Sequence, residues 1–126
     1  MYGPFDKQLE LRDVAAAAIT ATTAETGIAL AATMAGAFKA VFSVPALDSG
    51  TGDETYRLSV ETDTTTAFAS PIEIGALMVT APGVCELPLT QWQIRQHDPA
   101  AGALRCKATL AGTTPSLTYG AFLVPS

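Results

Sequence analysis

From Leu104 to Leu110 the apolar residues take the even positions (Leu104, Cys106, Ala108, Leu110) and the polar ones take the odd (Arg105, Lys107, Thr109). A pleated strand with one buried and one wet face imposes that period of two, and a helix cannot produce it. Residues 111–116, Ala-Gly-Thr-Thr-Pro-Ser, supply positive φ, a preset φ and side chains that bond their own backbone, which predicts a chain reversal. The alternation then resumes. Leu117, Tyr119, Ala121 and Leu123 share one side of a second strand and Thr118, Gly120, Phe122 and Val124 the other, until Pro125, which donates nothing to a ladder, ends it. Because this second side is also apolar, the strand is expected to be covered on both faces, by its own sheet partners or by another subunit.

The rest of the chain carries weaker versions of the same pattern. Residues 1–13 read as an irregular arm: Gly3 and Pro4 oppose regular structure, charges of alternating sign run from Asp6 to Asp13, and Tyr2, Phe5, Leu9 and Leu11 need cover. Ala18 to Glu25 is predicted as a strand, since the Thr residues after the Ala run are poor helix formers and Gly27 ends the segment early. Residues 31–36 suit a loop or a single helical turn. Ala37 to Val44 reads as a buried strand stopped by Pro45, and residues 48–53, Asp-Ser-Gly-Thr-Gly-Asp, give the strongest loop signal. Tyr56, Leu58 and Val60 alternate with Arg57, Ser59 and Glu61, predicting a strand with one solvent-facing side before a turn at 63–66. In the following strand Ile72, Ile74 and Ala76 face one way and Glu73 and Gly75 the other, running on to Val79. Pro82 and Gly83 suit a turn. Val84 to Leu89 is a strand that Pro88 demotes to an edge or a bulge, and Trp92 and Ile94 precede a polar connection over 95–102. About eight strands and no convincing amphipathic helix predict an all-β fold: a single-domain β-sandwich of jelly-roll type over residues 14–126, with residues 1–13 as its irregular N-terminal arm.

Composition narrows the function. The 126 residues suffice for one core, and 48% are hydrophobic while only 15% are charged, against roughly 25% charged in typical domains. A surface so sparsely charged points to a protein that packs against partners. With a net charge of −5 and seven Lys and Arg, no basic stripe exists to neutralise phosphates, so no direct nucleic-acid partner is expected. The start lacks the basic-then-apolar order of a signal peptide and no run approaches the roughly 20 apolar residues of a membrane span, so synthesis in the cytoplasm and no membrane partner are expected. Cys85 and Cys106 read as small buried apolar groups rather than a disulfide. His97, the one histidine, stands beside Asp98 in a turn-like context without a nucleophile elbow, so no catalytic residues and no enzyme activity are expected. Asp48, Asp53 and Glu54 lack the ligand spacing of a calcium loop and read as a solvated hairpin tip; no metal and no cofactor are expected.

Four stretches together resemble the capsid cement, or decoration, proteins of tailed bacteriophages. They are Phe5-Asp6-Lys7-Gln8-Leu9-Glu10-Leu11 at the start; Leu58 to Asp63 with Ser70-Pro71-Ile72-Glu73-Ile74-Gly75; Leu87-Pro88-Leu89; and Leu104-Arg105 through Gly112-Thr113-Thr114-Pro115-Ser116 to Tyr119-Gly120-Ala121-Phe122-Leu123, similar to the family's closing hairpin. The resemblance implies a jelly-roll-like fold, a homotrimer, and binding to the outside of an assembled shell of major capsid protein, where such a protein stabilises the virion against internal DNA pressure. The candidate interface residues are Tyr2, Phe5, Leu9 and Leu11 of the arm, Trp92, and Leu117, Tyr119, Phe122 and Val124 of the last strand. The competing class is a carbohydrate- or host-surface-binding β-sandwich module of a virion, which normally gathers aromatics on one face, whereas here one Trp and three Tyr are spread along the chain.

Overall fold

The computed structural model describes residues 10–29, 37–90, 94 and 102–125. The described residues contain nine strands: β1 (Glu10–Arg12), β2 (Thr23–Ala24), β3 (Ile28–Ala29), β4 (Ala37–Leu47), β5 (Thr55–Asp63), β6 (Ile72–Val79), β7 (Gly83–Thr90), β8 (Ala103–Ala111) and β9 (Leu117–Pro125), and the fold class is all-β. They form two antiparallel sheets. The first runs β1-β9-β4-β7; the second runs β2-β8-β5-β6, with β3 also pairing β8. One hydrophobic cluster draws on both, with Phe42, Val44, Leu117 and Leu123 from the first and Leu58, Val60, Leu104 and Cys106 from the second. Burying each large side chain of this kind contributes about 1.5–3 kcal/mol. The alternation that predicted β8 and β9 is borne out: Leu104, Cys106 and Ala108 are fully buried, as are Leu117, Tyr119 and Ala121.

What the alternation did not fix was pairing. β8 and β9 were expected to make a closing hairpin, but they lie in different sheets and residues 112–116 carry the chain across. Each strand has one strongly apolar side, and placing the two in opposite sheets lets those sides face the same core, which pairing them edge to edge would not require. The loop after β4 crosses in the same way, so it is not the hairpin tip expected for Asp48 to Glu54. Its partner in space is the other crossing: Asp53 Oδ2 accepts from Thr113 Oγ1 at 2.6 Å, and a Cβ on Gly112, at φ +113°, would lie 2.6 Å from Glu54 Cα.

Four further expectations are corrected. The strand predicted over Ala18 to Glu25 reduces to Thr23–Ala24 and an isolated bridge between Ile19 and Leu117. Ile19 bonds the first sheet while Thr23 bonds the second, so the segment must leave one ladder for the other and cannot stay a strand. Pro45 does not stop β4, which runs on to Leu47: the proline sits at a register shift between Ser43 and Ala46, beyond the last β7 pair, Val44 with Gly83, where no ladder N–H is needed. Ser59 and Glu61 of β5, expected to face solvent, are 1% and 8% exposed, because β5 is an inner strand flanked by β8 and β6. In β6 a bulge opposite Val60 and Glu61 makes Ile74 the extra residue, so Gly75, Leu77 and Val79 oppose Val60, Leu58 and Tyr56 while Ala76 moves to the other side, opposite Ser59. Gly75 thus meets Leu87 of the facing sheet, with a built Cβ 3.2 Å from its Cδ2. Pro88, by contrast, lies on β7, an edge strand as expected.

Candidate interaction faces

The outward sides of the two sheets differ in chemistry. On the second sheet, alternating with the core residues, stand Arg57 and Glu61 of β5, Glu73 of β6, and Arg105 and Lys107 of β8. Arg57 donates to both carboxylate oxygens of Glu73, at 2.6 Å to Oε2, and this pair raises the Arg57 pKa and lowers that of Glu73. Arg105 Nε donates to Glu61 Oε1 at 2.8 Å and the guanidinium stacks 4.5 Å above the Phe68 ring. Phe68 reaches that position from a left-handed backbone, φ 50°, unusual for a bulky residue, and its buried ring fills the space a side chain at Gly27 would take. Asp63 winds the loop that carries it by accepting from the N–H groups of Thr64 and Ser70, which hold its carboxyl below the usual range.

The outward side of the first sheet mixes apolar residues with Lys39, Ser43, Glu86, Thr90 and Thr118. Val41 of β4, in register with Glu86 and Phe122, is 1% exposed; Val124 is 7% exposed and Phe122 half-buried. One ion pair, Lys39 to Glu86 at 3.0 Å, crosses this side. Toward β7 stands Val84, 59% exposed, and toward β1 stands Val14, 47% exposed, whose Cβ would lie 2.6 Å from any Cβ at Gly120. Glycine is required there because Val14 packs onto the strand backbone. Around this contact lies an open hollow of about 370 Å³ whose walls include Glu10, Asp13, Val14, Ser43, Gly120 and Phe122.

β1 reaches this edge through a buried ionic cluster. Arg12 donates from Nε to Tyr119 O at 2.9 Å, from Nη1 to Glu25 Oε2 at 2.9 Å and from Nη2 to Ala17 O at 2.7 Å, while its guanidinium lies 4.7 Å over the Tyr119 ring. Tyr119 OH is 3.3 Å from the same Glu25 oxygen and 3.5 Å from Cys106 Sγ. Such a pair repays its desolvation only when the remaining donors and acceptors are also satisfied, and here the guanidinium fork bonds three oxygens. Burial pushes the Cys106 thiol up to about 12 and raises the Tyr119 phenol. The cluster joins β1, on one edge of the first sheet, to the chain beside β2, on the matching edge of the second.

Of the candidate interface residues, Leu11, Leu117 and Tyr119 turn into the core, at 3%, 0% and 0% exposure. Phe122 and Val124 stand on the outward side of β9, and Tyr2, Phe5, Leu9 and Trp92 lie outside the described residues. The structure therefore does not bring the nine together; it adds the exposed Val14 and Val84 to the outward pair, and Val41, on the same side, is 1% exposed. Period-two bookkeeping could have found Val41 and Val84, since each lies one residue off its strand's core side. Nothing local pointed to Val14, which meets Gly120 across 106 positions. Likewise Arg12 and Glu25 carried no pairing signal in sequence. His97 and Asp98 lie outside the described residues, and among the described residues no group of three or more His, Cys, Asp or Glu could hold a metal. No protein-family model and no curated protein matches the chain.

Proposed function

We propose that this chain is a structural virion protein, a capsid cement or decoration protein that binds as a trimer to the outside of an assembled shell of major capsid protein and stabilises it against the pressure of packaged DNA. The observation that carries the reading is the set of apolar side chains left exposed on the outward side of the first sheet, Val14 at 47%, Val84 at 59% and the half-buried Phe122. An antiparallel sheet with one face on its own core normally wets the other, so apolar side chains left exposed there offer a surface that a partner can cover. Strand order supports the finer expectation of a jelly roll. With β2 and β3 counted as one interrupted strand, the orders become 1-8-3-6 and 2-7-4-5, two four-stranded sheets linked by repeated crossings, an arrangement frequent in viral capsid domains and also in lectins.

The lectin-like alternative finds less support. Tyr56, Tyr119, Phe42 and Phe68 are buried and Phe122 is half-buried, so these aromatics do not gather into an exposed cluster of the kind that stacks on sugar rings. A protein that binds only the intact lattice stabilises it by mass action, and a trimer engages several subunits at once, so modest contacts combine. The test is binding of the purified protein to undecorated, expanded capsids of the phage that encodes it, followed by heating with and without it. Saturable binding and a higher rupture temperature are expected; saturable binding with no change in rupture temperature rejects the cement role in favour of surface adhesion.

A further inference from the structure

The two loops that cross between the sheets bring a pair of carboxyl groups together. Asp53 and Glu54 end the crossing from β4 to β5, and the crossing from β8 to β9 lies against them, with a built Cβ on Gly112 only 2.8 Å from Asp53 O. The Asp53 carboxylate is well supplied with donors: Oδ1 accepts from Thr51 Oγ1 at 2.7 Å and from Thr113 N at 3.2 Å, and Oδ2 accepts from Thr113 Oγ1 at 2.6 Å. Glu54 is poorly supplied. Its Oε1 accepts from Thr51 N at 3.2 Å, while its Oε2 is closed off from solvent and finds no hydrogen-bond donor among the described residues. The two carboxyl groups are nonetheless within hydrogen-bond reach of each other, and two carboxyl groups can bond only when one of them carries a proton.

We infer that a proton bridges the Glu54 and Asp53 carboxyl groups, so that the clasp between the two crossing loops tightens as pH falls from neutral and loosens as it rises. Glu54 is the member that takes the proton. An enclosed oxygen without a donor disfavours the charged form, whereas the three donors on Asp53 favour it. No cation opposes this. The charged groups facing Glu54 are Asp53 and, in the same loop, Asp48; residues 112–116 carry no charge, and neither do Leu47, Ser49, Tyr56 and Met78, which line the small hollow beside it. The Tyr56 phenol is engaged with Asp48 O and Ser116 N. The bond with Asp53, and after it desolvation, holds the Glu54 carboxyl above the ordinary range, and the bond with Glu54, with those from Thr113 and Thr51, holds Asp53 below it. The stability that Glu54 contributes is therefore complete below the ordinary carboxyl value and lost as pH rises through its raised one, while that of Asp53 is present above the ordinary value and lost as pH falls through its lowered one.

The test compares the unmodified protein with Glu54→Gln, whose amide supplies a donor at every pH, in urea unfolding between about pH 3 and about pH 8. Asp63 and Glu73, which are held below the ordinary range, weaken both proteins in acid, so the difference between the two isolates Glu54. Glu54→Gln should raise the urea midpoint near neutral pH and match the unmodified protein in acid, and in an Asp53→Asn background that pH dependence should largely vanish. Nuclear magnetic resonance titration of the unmodified protein gives a reading without any variant: the Glu54 side-chain carboxyl should change over above the roughly 4.3 of a free Glu. A difference that does not vary with pH, a Glu54→Gln protein no more stable than its parent at neutral pH, or a Glu54 midpoint at or below the free value overturns the inference. Persistence of the full pH dependence in the Asp53→Asn background does so too, by showing that Glu54 titrates without sharing its proton.

Discussion

Arg12 sits in a stretch of sequence that reads as an irregular arm, yet its guanidinium is bonded to Glu25, Ala17 and Tyr119 and its side chain is 6% exposed. Removing one member of a buried pair strands the other in a poorly solvated site, at a cost of about 3–5 kcal/mol. Arg12→Ala is therefore expected to lower the unfolding free energy by that amount, read as a lower urea midpoint with an unchanged slope, and Glu25→Gln, which keeps an acceptor, by about 1–3 kcal/mol. In the double variant neither partner is stranded, so its loss should fall below the sum of the singles; strict additivity would show that the pair does not act as a unit. The same cluster governs a thiol. Burial holds the Cys106 thiol at about 12, so at pH 8 it stays protonated as well as enclosed, while Cys85 is half-buried. An aromatic disulfide reagent at pH 8 should titrate Cys85 in the folded protein and reach Cys106 only after unfolding; reaction of Cys106 at the unfolding-independent rate of a surface thiol would contradict its placement.

At the scale of elements, the crossings decide the fold. A side-chain hydrogen bond with Glu54 and those accepted from Thr113 and Thr51 hold the Asp53 carboxyl below the usual range, and Tyr56 OH donates to Asp48 O and accepts from Ser116 N, so the two crossing loops form one unit. Gly112 is the residue that permits their contact. Gly112→Ala adds a Cβ 2.6 Å from Glu54 Cα at φ +113°, and a loss of about 1–3 kcal/mol is expected from backbone strain. Gly52, at φ +79° with nothing within 4 Å, offers a control: Gly52→Asn should be close to neutral in the same unfolding measurement, since Asn tolerates the left-handed region. These loops also explain what sequence could and could not disclose. Period-two alternation made β8 and β9 legible because each buries one side, and Asp48 to Asp53 was legible as a loop from its Gly and Asp content. Whether a turn closes a hairpin or crosses between sheets depends on which faces meet across the core, a non-local choice that Gly112-Thr113-Thr114-Pro115-Ser116 does not encode. The bulge at Ile74 and the short strand Thr23–Ala24 escaped for a related reason: each is set by register against a neighbouring strand. On the candidate faces, Phe122 and Val124 were legible as an apolar outward side, whereas the Val14 contact with Gly120 needed the whole fold.

For the whole molecule, the first strand lies within the first dozen residues. β1 pairs Glu10 with Phe122 and Arg12 with Ala121, and Leu11 is 3% exposed in the core. Residues 1–8, with Tyr2 and Phe5, precede that strand. Eight residues can span up to about 28 Å when extended. If the cement reading holds, deleting residues 1–8 separates two properties: the melting temperature should change by less than about 3 °C, while capsid occupancy at limiting concentration falls, because the apolar area of Tyr2 and Phe5 is lost to the bound state alone. Deleting residues 1–12 removes Leu11 and Arg12 as well, and the melting temperature should then fall by well over about 5 °C. The pair of truncations discriminates where a single one would not. A shell-binding defect confined to the longer deletion would mean that attachment depends on the folded sheets, in particular on the apolar side carrying Phe122 and Val124; equal occupancy for the full-length chain and the shorter truncation would remove the arm from the interface.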